Sequence, residues 1–290
     1  CMQLQKSYKG ESVFGTLYLV PTPIGNLKDM TFRAIEVLKS VDFIAAEDTR
    51  VTGLLLKHFE IATPQLSFHE HNAYEKIPHL MAVLRSGKSI AQVSDAGMPS
   101  ISDPGHDLVK AALAEGVPVV SLPGSSAGIT ALIASGLAAQ PHIFYGFLPR
   151  KAGQQKAFLE EKKLYPETQI FYESPYRLKD TLANILLVYG DREAVLVREL
   201  TKIYEEYQRG RVSELLAYIR EHPVKGECLL LVAGSSGEST RTGEKDLDPV
   251  AVIAALVDEG AKPNQAIKKV AKEFGLNRQA LYQQYHQLDS

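Results

Sequence analysis

Three loops gather the residue types that hold small polar ligands. Residues 92–105, QVSDAGMPSISDPG, set Asp95 and Asp103 among Gly97, two prolines and three serines, directly after an apolar run. Small residues let a backbone approach a ligand closely. The two carboxylates can accept hydrogen bonds from an amine or a ribose hydroxyl; local turn capping uses the same composition. In residues 121–136, SLPGSSAGITALIASG, Pro123 and Gly124 form a tight turn, and Ser125 and Ser126 cap a helix of small residues. The free N–H groups at such a helix start favour a carboxylate or another anion. In LYLVPTPIGNLKD, residues 17–29, Pro21 and Pro23 fix φ while Gly25 relaxes it. His69 and His71, in SFHEHN, fall on one face of an expected strand. With no third ligand at a clear spacing, they read as polar residues ending a sheet, and no metal is expected.

These loops need a frame. Strands are expected at Thr16–Val20, Phe43–Ala46, Gln65–Phe68, Ile90–Val93 and Val117–Leu122, with helices at 31–39, 49–58, 74–86, 105–115 and 126–136. Strands alternating with crossover helices make a mostly parallel sheet covered on both faces. Open α/β sheets bind ligands at the carboxyl ends of their strands. That rule selects Pro21–Met30, Glu47–Arg50, Ser94–Pro104 and Pro123–Ala127. The first loop holds a single glycine instead of G-x-G-x-x-G, and no Walker A pattern occurs, so a nicotinamide, flavin or P-loop nucleotide site is disfavoured.

A second α/β region spans 147–234, with strands at Gln169–Glu173, Ala194–Arg198, Tyr204–Arg209 and Cys228–Val232 and helices near 154–164, 177–189 and 212–221. The organisation expected is a disordered or tag-like N-terminus (1–14), α/β domains at 15–146 and 147–234, a Gly/Ser-rich linker at 235–247, and a small all-α helix-turn-helix domain at 248–290, with Gly275 in its turn. Cys1 ahead of Met2 reads as an expression remnant or a misplaced start.

The 290 residues are 45% hydrophobic, enough to bury full cores. A net charge of -2 excludes a strongly basic whole-protein surface, though not a local nucleic-acid site. Lys262, Lys268, Lys269, Lys272 and Arg278 face only Glu273 in their span and form a local positive patch. Two cysteines far apart make no disulfide framework, and no run approaches the roughly 20 apolar residues of a spanning helix. A reducing cytoplasm is the expectation.

The ordered series VPTPIG, EDTR, SDAGMPSISDPG, LPGSSA, FYESPYR and REL resembles the tetrapyrrole-methylase (class III) methyltransferases over 16–234. The family's first-strand GPG stands here as Pro23, Ile24 and Gly25, and its GDP turn as Gly97, Met98 and Pro99. Both departures favour the family's ribosomal-RNA branch, whose C-terminal helix-turn-helix extension matches 248–290. The resemblance implies S-adenosyl-L-methionine as methyl donor in a cleft between two α/β domains, a homodimer, and 2′-O-methylation of a cytidine in the decoding region of 16S rRNA within the 30S subunit. Matching positions imply cofactor contacts from Ile24, Gly25, Asp95, Gly97, Ile101, Ser126 and Ala127, and from Tyr172, Leu200, Cys228 and Leu229 in the second domain.

Methyl transfer to a ribose hydroxyl is mostly positioning, helped by a base, and needs no metal. The base candidates are Glu47, Asp48, Glu70, Glu173 and Glu199, with Arg50, Arg177 and Arg198 as phosphate clamps. Glu47, Asp48, Arg50, Glu173, Arg177, Arg198 and Glu199 are expected to line one cleft. Tyr172 and Tyr176 are candidates for stacking on a splayed base. Two other functions compete: a tetrapyrrole C-methyltransferase, and a DNA-binding regulator using the helix-turn-helix.

Overall fold

The molecule, a computed structural model, is described at residues 2–7, 12–236, 250, 253, 256–257, 261–274 and 276–287. The first sheet holds β1 (Leu17–Leu19), β2 (Phe43–Ala46), β3 (Gln65–Ser67), β4 (Ile90–Val93) and β5 (Val119–Ser121). Its order is β3-β2-β4-β1-β5 and every pairing is parallel. The crossovers are α1 (Phe32–Ser40), α2 (Thr49–His58), α3 (Ala73–Arg85) and α4 (Gly105–Ala114). Alternation along the strands divides their side chains between two covered faces. Ala45 and Ile90 point into a core with Leu80, Leu84 and Leu108, whereas Ile44, Ala46 and Ala91 point into one with Leu38 and Leu56.

The second sheet comprises β6 (His142–Phe147), β7 (Thr168–Glu173), β8 (Glu193–Arg198), β9 (Glu206–Arg211) and β10 (Cys228–Val232), in the order β6-β7-β10-β8-β9. The β6–β7 pairing is parallel; the others are antiparallel. Helices α6 (Ala152–Lys162), α7 (Leu178–Tyr189) and α8 (Val212–Glu221) cover one face through Leu159, Leu182, Ile185 and Leu216. The other face receives α5 (Ala127–Ser135), which leaves the loop after β5 and buries Ala131 and Leu132 against Ile170, Val195, Val197 and Leu231. Through α5 the two sheets belong to one compact unit, 1–235.

Strand β6 is absent from the sequence reading, and the boundary expected at 146/147 falls at its end. Its signal is broken by a bulge between Phe144 and Gly146, the latter at φ +69. The strand expected at Tyr204–Arg209 begins two residues later, at Glu206, because Thr201–Tyr204 forms turns. Within the expected tag-like N-terminus, Gln5 exchanges hydrogen bonds with the backbone of Val119 on edge strand β5.

The second unit, 236–290, contains α9 (Pro263–Phe274) and α10 (Arg278–Gln287) around Ile253, Ile267, Val270 and Leu281. Asn277 caps α10, its Oδ1 accepting from the Gln279 and Ala280 amides at 2.9 and 3.2 Å. Gly275 and most of the expected linker lie outside the described residues. Among the described residues no helix is long and apolar enough to cross a membrane.

Candidate active site

The loops after β1, β4 and β5 meet at the carboxyl end of the first sheet. Thr22 and Gly97 exchange backbone hydrogen bonds of 3.0 Å, tying the first two loops together. Gly97 has φ +79, and a Cβ there would lie 3.2 Å from Ile24 Cγ2 and 3.4 Å from the Ser125 carbonyl oxygen. Only glycine lets the three loops approach this closely without strain. Asp103 turns inward: its carboxylate accepts from Gln92 Nε2 and the Ser100 and Gly105 amides, each at 2.8 Å. That local capping occupies the carboxylate expected to meet an amine or ribose. Ser126 stands at the N-cap of α5 but makes no side-chain cap bond, a departure from the expected capping.

An open cleft of about 390 Å3 lies where β2, β3 and β4 end, lined by Glu47, Asp48, Thr49, Arg50, Ser67, His69, His71 and Asp95. The Asp48 amide donates to Asp95 Oδ1 at 3.0 Å, joining two of the loops. Asp48 is fully engaged by Arg50, which donates its amide at 2.9 Å, Nε at 3.1 Å and Nη2 at 2.7 Å. Those bonds hold the Asp48 carboxyl down at about 2. Glu47 moves the opposite way. Burial first, then the neighbouring Asp95 carboxylate, push its carboxyl above the usual carboxylate range. His69 donates its amide to Asn72 Oδ1 at 2.9 Å, while its Nδ1 is buried without a partner. The His69 and His71 rings lie 5.9 Å apart, in the segment beyond β3 and not on the strand as expected. Among the described residues no group of three or more His, Cys, Asp or Glu is placed to hold a metal ion.

The second lobe presents an apolar wall and three ion-paired groups. Ile24 and Ala127 of the first lobe pack with Tyr172, Leu200 and Leu229 of the second in one cluster. Tyr172 also meets Phe144 and Phe147 edge-on at 5.0 and 5.6 Å. Glu173 is buried, and its Oε1 accepts from the Ser174 amide at 2.7 Å and Arg177 Nη2 at 2.8 Å, its Oε2 from the Thr181 hydroxyl at 2.7 Å. Arg198 Nε pairs with Glu206 at 3.1 Å. Glu199 Oε1 accepts from the Glu227 amide at 2.9 Å and Lys202 Nζ at 3.2 Å, and the Glu227 amide foremost lowers its carboxyl. The lobes touch where Asn26 Nδ2 donates to the Thr201 carbonyl at 3.2 Å, and where a Cβ on Gly25 would lie 2.8 Å from the Lys202 side chain.

Of the seven residues expected in one cleft, Glu47, Asp48 and Arg50 line it together, joined by Asp95. Glu173, Arg177, Arg198 and Glu199 do not line it; they close on their neighbours at the end of the second sheet. Five expected cofactor residues, Ile24, Ala127, Tyr172, Leu200 and Leu229, fall in one cluster, with Gly25, Gly97 and Asp95 around the adjoining loops. Cys228 does not join them. Strand alternation turns its side chain to the opposite face, with Phe171 and Leu230, where burial pushes the thiol up to about 11. Ile101 and Tyr176 are exposed, at 63% and 95%. Thr49, Ser67, His69 and His71 also line the cleft; the alternating S-x-H-x-H spacing signals the last three, and Thr49 sits within EDTR.

The profile of the tetrapyrrole (corrin/porphyrin) methylases matches residues 16–216. A Streptococcus pyogenes serotype M1 protein named ribosomal RNA small subunit methyltransferase I is 70% identical over 287 residues, 99% of this chain and 100% of its own length. The Bacillus subtilis (strain 168) protein of the same name is 48% identical over 288 residues, 98% of this chain and 99% of its own. Among solved structures, uroporphyrin-III-C-methyltransferase from Thermus thermophilus matches with a TM-score of 0.53 at 20% identity, over 76% of this chain and 94% of that one. Diphthine synthase matches with a TM-score of 0.57 at 14% identity, over 76% and 90%. At such identities these likenesses speak to the fold alone.

Proposed function

The chain belongs to the tetrapyrrole methylase family, and we propose that it methylates the 2′-hydroxyl of a cytidine ribose in the decoding region of 16S rRNA, with S-adenosylmethionine as donor. The observation that carries this reading is the adjacency of two unlike surfaces. The β1 loop, which gives Ile24 to the apolar cluster, is hydrogen-bonded through Thr22 and Gly97 to the β4 loop, whose Asp95 lines the acidic cleft beside Glu47.

The residues present fit the donor. Ile24, Ala127, Tyr172, Leu200 and Leu229 offer an apolar wall to a purine, and Gly97 lets the β4 loop close on Ile24 and Ser125 beside it. The Glu47 and Asp95 carboxylates would favour a cationic group nearby. When bound, S-adenosylmethionine supplies a methyl group already activated by the positive sulfonium.

The chain's own part is to align the hydroxyl and remove its proton. Among the candidate carboxylates, Glu47 is the one tuned for this. A base works best when its pKa approaches the working pH, and Glu47 is displaced in that direction. Asp48, held at about 2, is a weak base whose place is to orient Arg50. The largely exposed Arg50 guanidinium keeps N–H groups for an RNA phosphate. Glu173 already holds three donors and braces Arg177 and Thr181. His69 stands beside Glu47 in the cleft as a further proton acceptor.

The reading extends to an enzyme acting in the cytoplasm, as a homodimer, on the assembled 30S subunit. Support for a second copy comes from exposed apolar side chains on α5 and β6, Ile133 at 75% and Phe147 at 62%. Support for an assembled substrate comes from the net charge of -2, which gives little general affinity for free RNA. The test compares labelled methyl incorporation into 30S subunits lacking the modification and into the same RNA stripped of protein. Faster labelling of subunits is expected; equal rates would refute the assembled substrate, and no labelling of either would refute the reaction.

A further inference from the structure

The turn after β8 holds two residues in the left-handed region, Glu199 at φ +50 and Thr201 at φ +69. A β-branched residue there is a genuine outlier, kept only where its surroundings over-determine it. The surroundings do so. The Thr201 amide donates to Glu205 Oε2 at 2.6 Å, its carbonyl accepts from Asn26 Nδ2 at 3.2 Å, and the Glu199 amide donates to the Glu227 carbonyl at 2.9 Å. The backbone of Thr201 is thus satisfied on both sides, yet its hydroxyl oxygen is buried with no partner. A buried polar group left unmatched is costly. Glycine or asparagine would serve this turn without the strain.

The position of the hydroxyl tells what would match it. Oγ1 lies 3.1 Å from where a Cβ on Gly25 would be, so it sits where the first lobe's β1 loop meets the second lobe's turn. Its neighbour Leu200 belongs to the apolar cluster with Ile24, Ala127, Tyr172 and Leu229. That wall carries no charge and suits the flat adenosine portion of a ligand, not an ammonium or carboxylate. The charged groups beside this turn are already paired, Lys202 with Glu199 and Glu227, while Glu47 and Asp95 line the separate cleft. We propose that the Thr201 hydroxyl is a cofactor contact that hydrogen-bonds the adenosine portion of S-adenosylmethionine, an assignment that rests on the donor reading above.

The test is calorimetry on the full chain with two probes, S-adenosylhomocysteine and 5′-methylthioadenosine, which lacks the amino-acid end. Thr201→Val keeps the shape and the β-branch and removes only the hydroxyl. It is expected to weaken both probes about tenfold. Thr201→Ser keeps the hydroxyl and eases the crowding, and is expected to bind both as the parent does. Parent-like binding by Thr201→Val, a loss confined to S-adenosylhomocysteine, or a Thr201→Ser as weak as Thr201→Val would each overturn the assignment. A parent chain that binds neither probe overturns the donor reading itself, a separate failure.

Discussion

Glu47 and Asp48 are adjacent in the chain and chemically opposite in the fold. Asp48 faces Arg50, and three hydrogen bonds fix it as a carboxylate. Glu47 faces inward beside Asp95 and resists ionisation. Glu47→Gln should therefore lower methyl transfer by about 100-fold or more and change S-adenosylhomocysteine affinity far less, as single-turnover rates and calorimetry would show. The sign of the pH dependence follows. Glu47 accepts a proton only when ionised, so the rate should rise with pH along a limb above the usual carboxylate range, and Glu47→Gln should flatten it. Stability runs the other way. A carboxyl raised in the folded state favours folding while protonated and loses that contribution as pH climbs past its folded value. Glu47→Gln should then melt slightly higher than the parent near neutral pH, by on the order of 1 °C, and the two should converge in acid. That EDTR ends a strand and lines a polar cleft is legible in the residue types and their place after β2. Which carboxylate is tuned is not, because the causes are burial in the fold and then Asp95 on another loop.

At the level of elements, the parallel sheet is legible because its strands are short apolar runs punctuated by glycine and proline, as at Ile90–Val93. Alternation within a strand can be read too, yet its consequence at the second sheet shows only with the partner helices in place. Leu229 meets α5 while Cys228, one residue earlier, meets the opposite core. Strand β6 escapes because its bulge at Gly146 interrupts the period-two pattern. Glu173 looks catalytic in FYESPYR, and only the fold shows it bonded to Ser174, Arg177 and Thr181. Removing Glu173 leaves the partly exposed Arg177 and the buried Thr181 hydroxyl without their partner. Glu173→Ala should cost about 3 kcal/mol in urea unfolding, with any loss of activity following loss of folded protein.

Across the whole molecule, charge is distributed so that no region is strongly basic, and the exposed Lys268 and Lys269 of α9 form a local exception. Their packing neighbours Ile267 and Val270 fill the core of the second unit, so the lysines are free to change without disturbing it. Lys268→Glu with Lys269→Glu should weaken binding to ribosomal subunits and lessen its salt dependence, measured by titration at several salt concentrations, with S-adenosylhomocysteine affinity intact. The central claim is narrower: loops from two sheets converge so that Glu47 can take the proton of a ribose hydroxyl beside the bound donor. The most direct measurement gives labelled donor to 30S subunits lacking the modification, digests the RNA to nucleosides and locates the label. The account predicts label on 2′-O-methylcytidine with the parent chain and next to none with Glu47→Gln. Label on a base atom, or undiminished ribose labelling by Glu47→Gln, would contradict it.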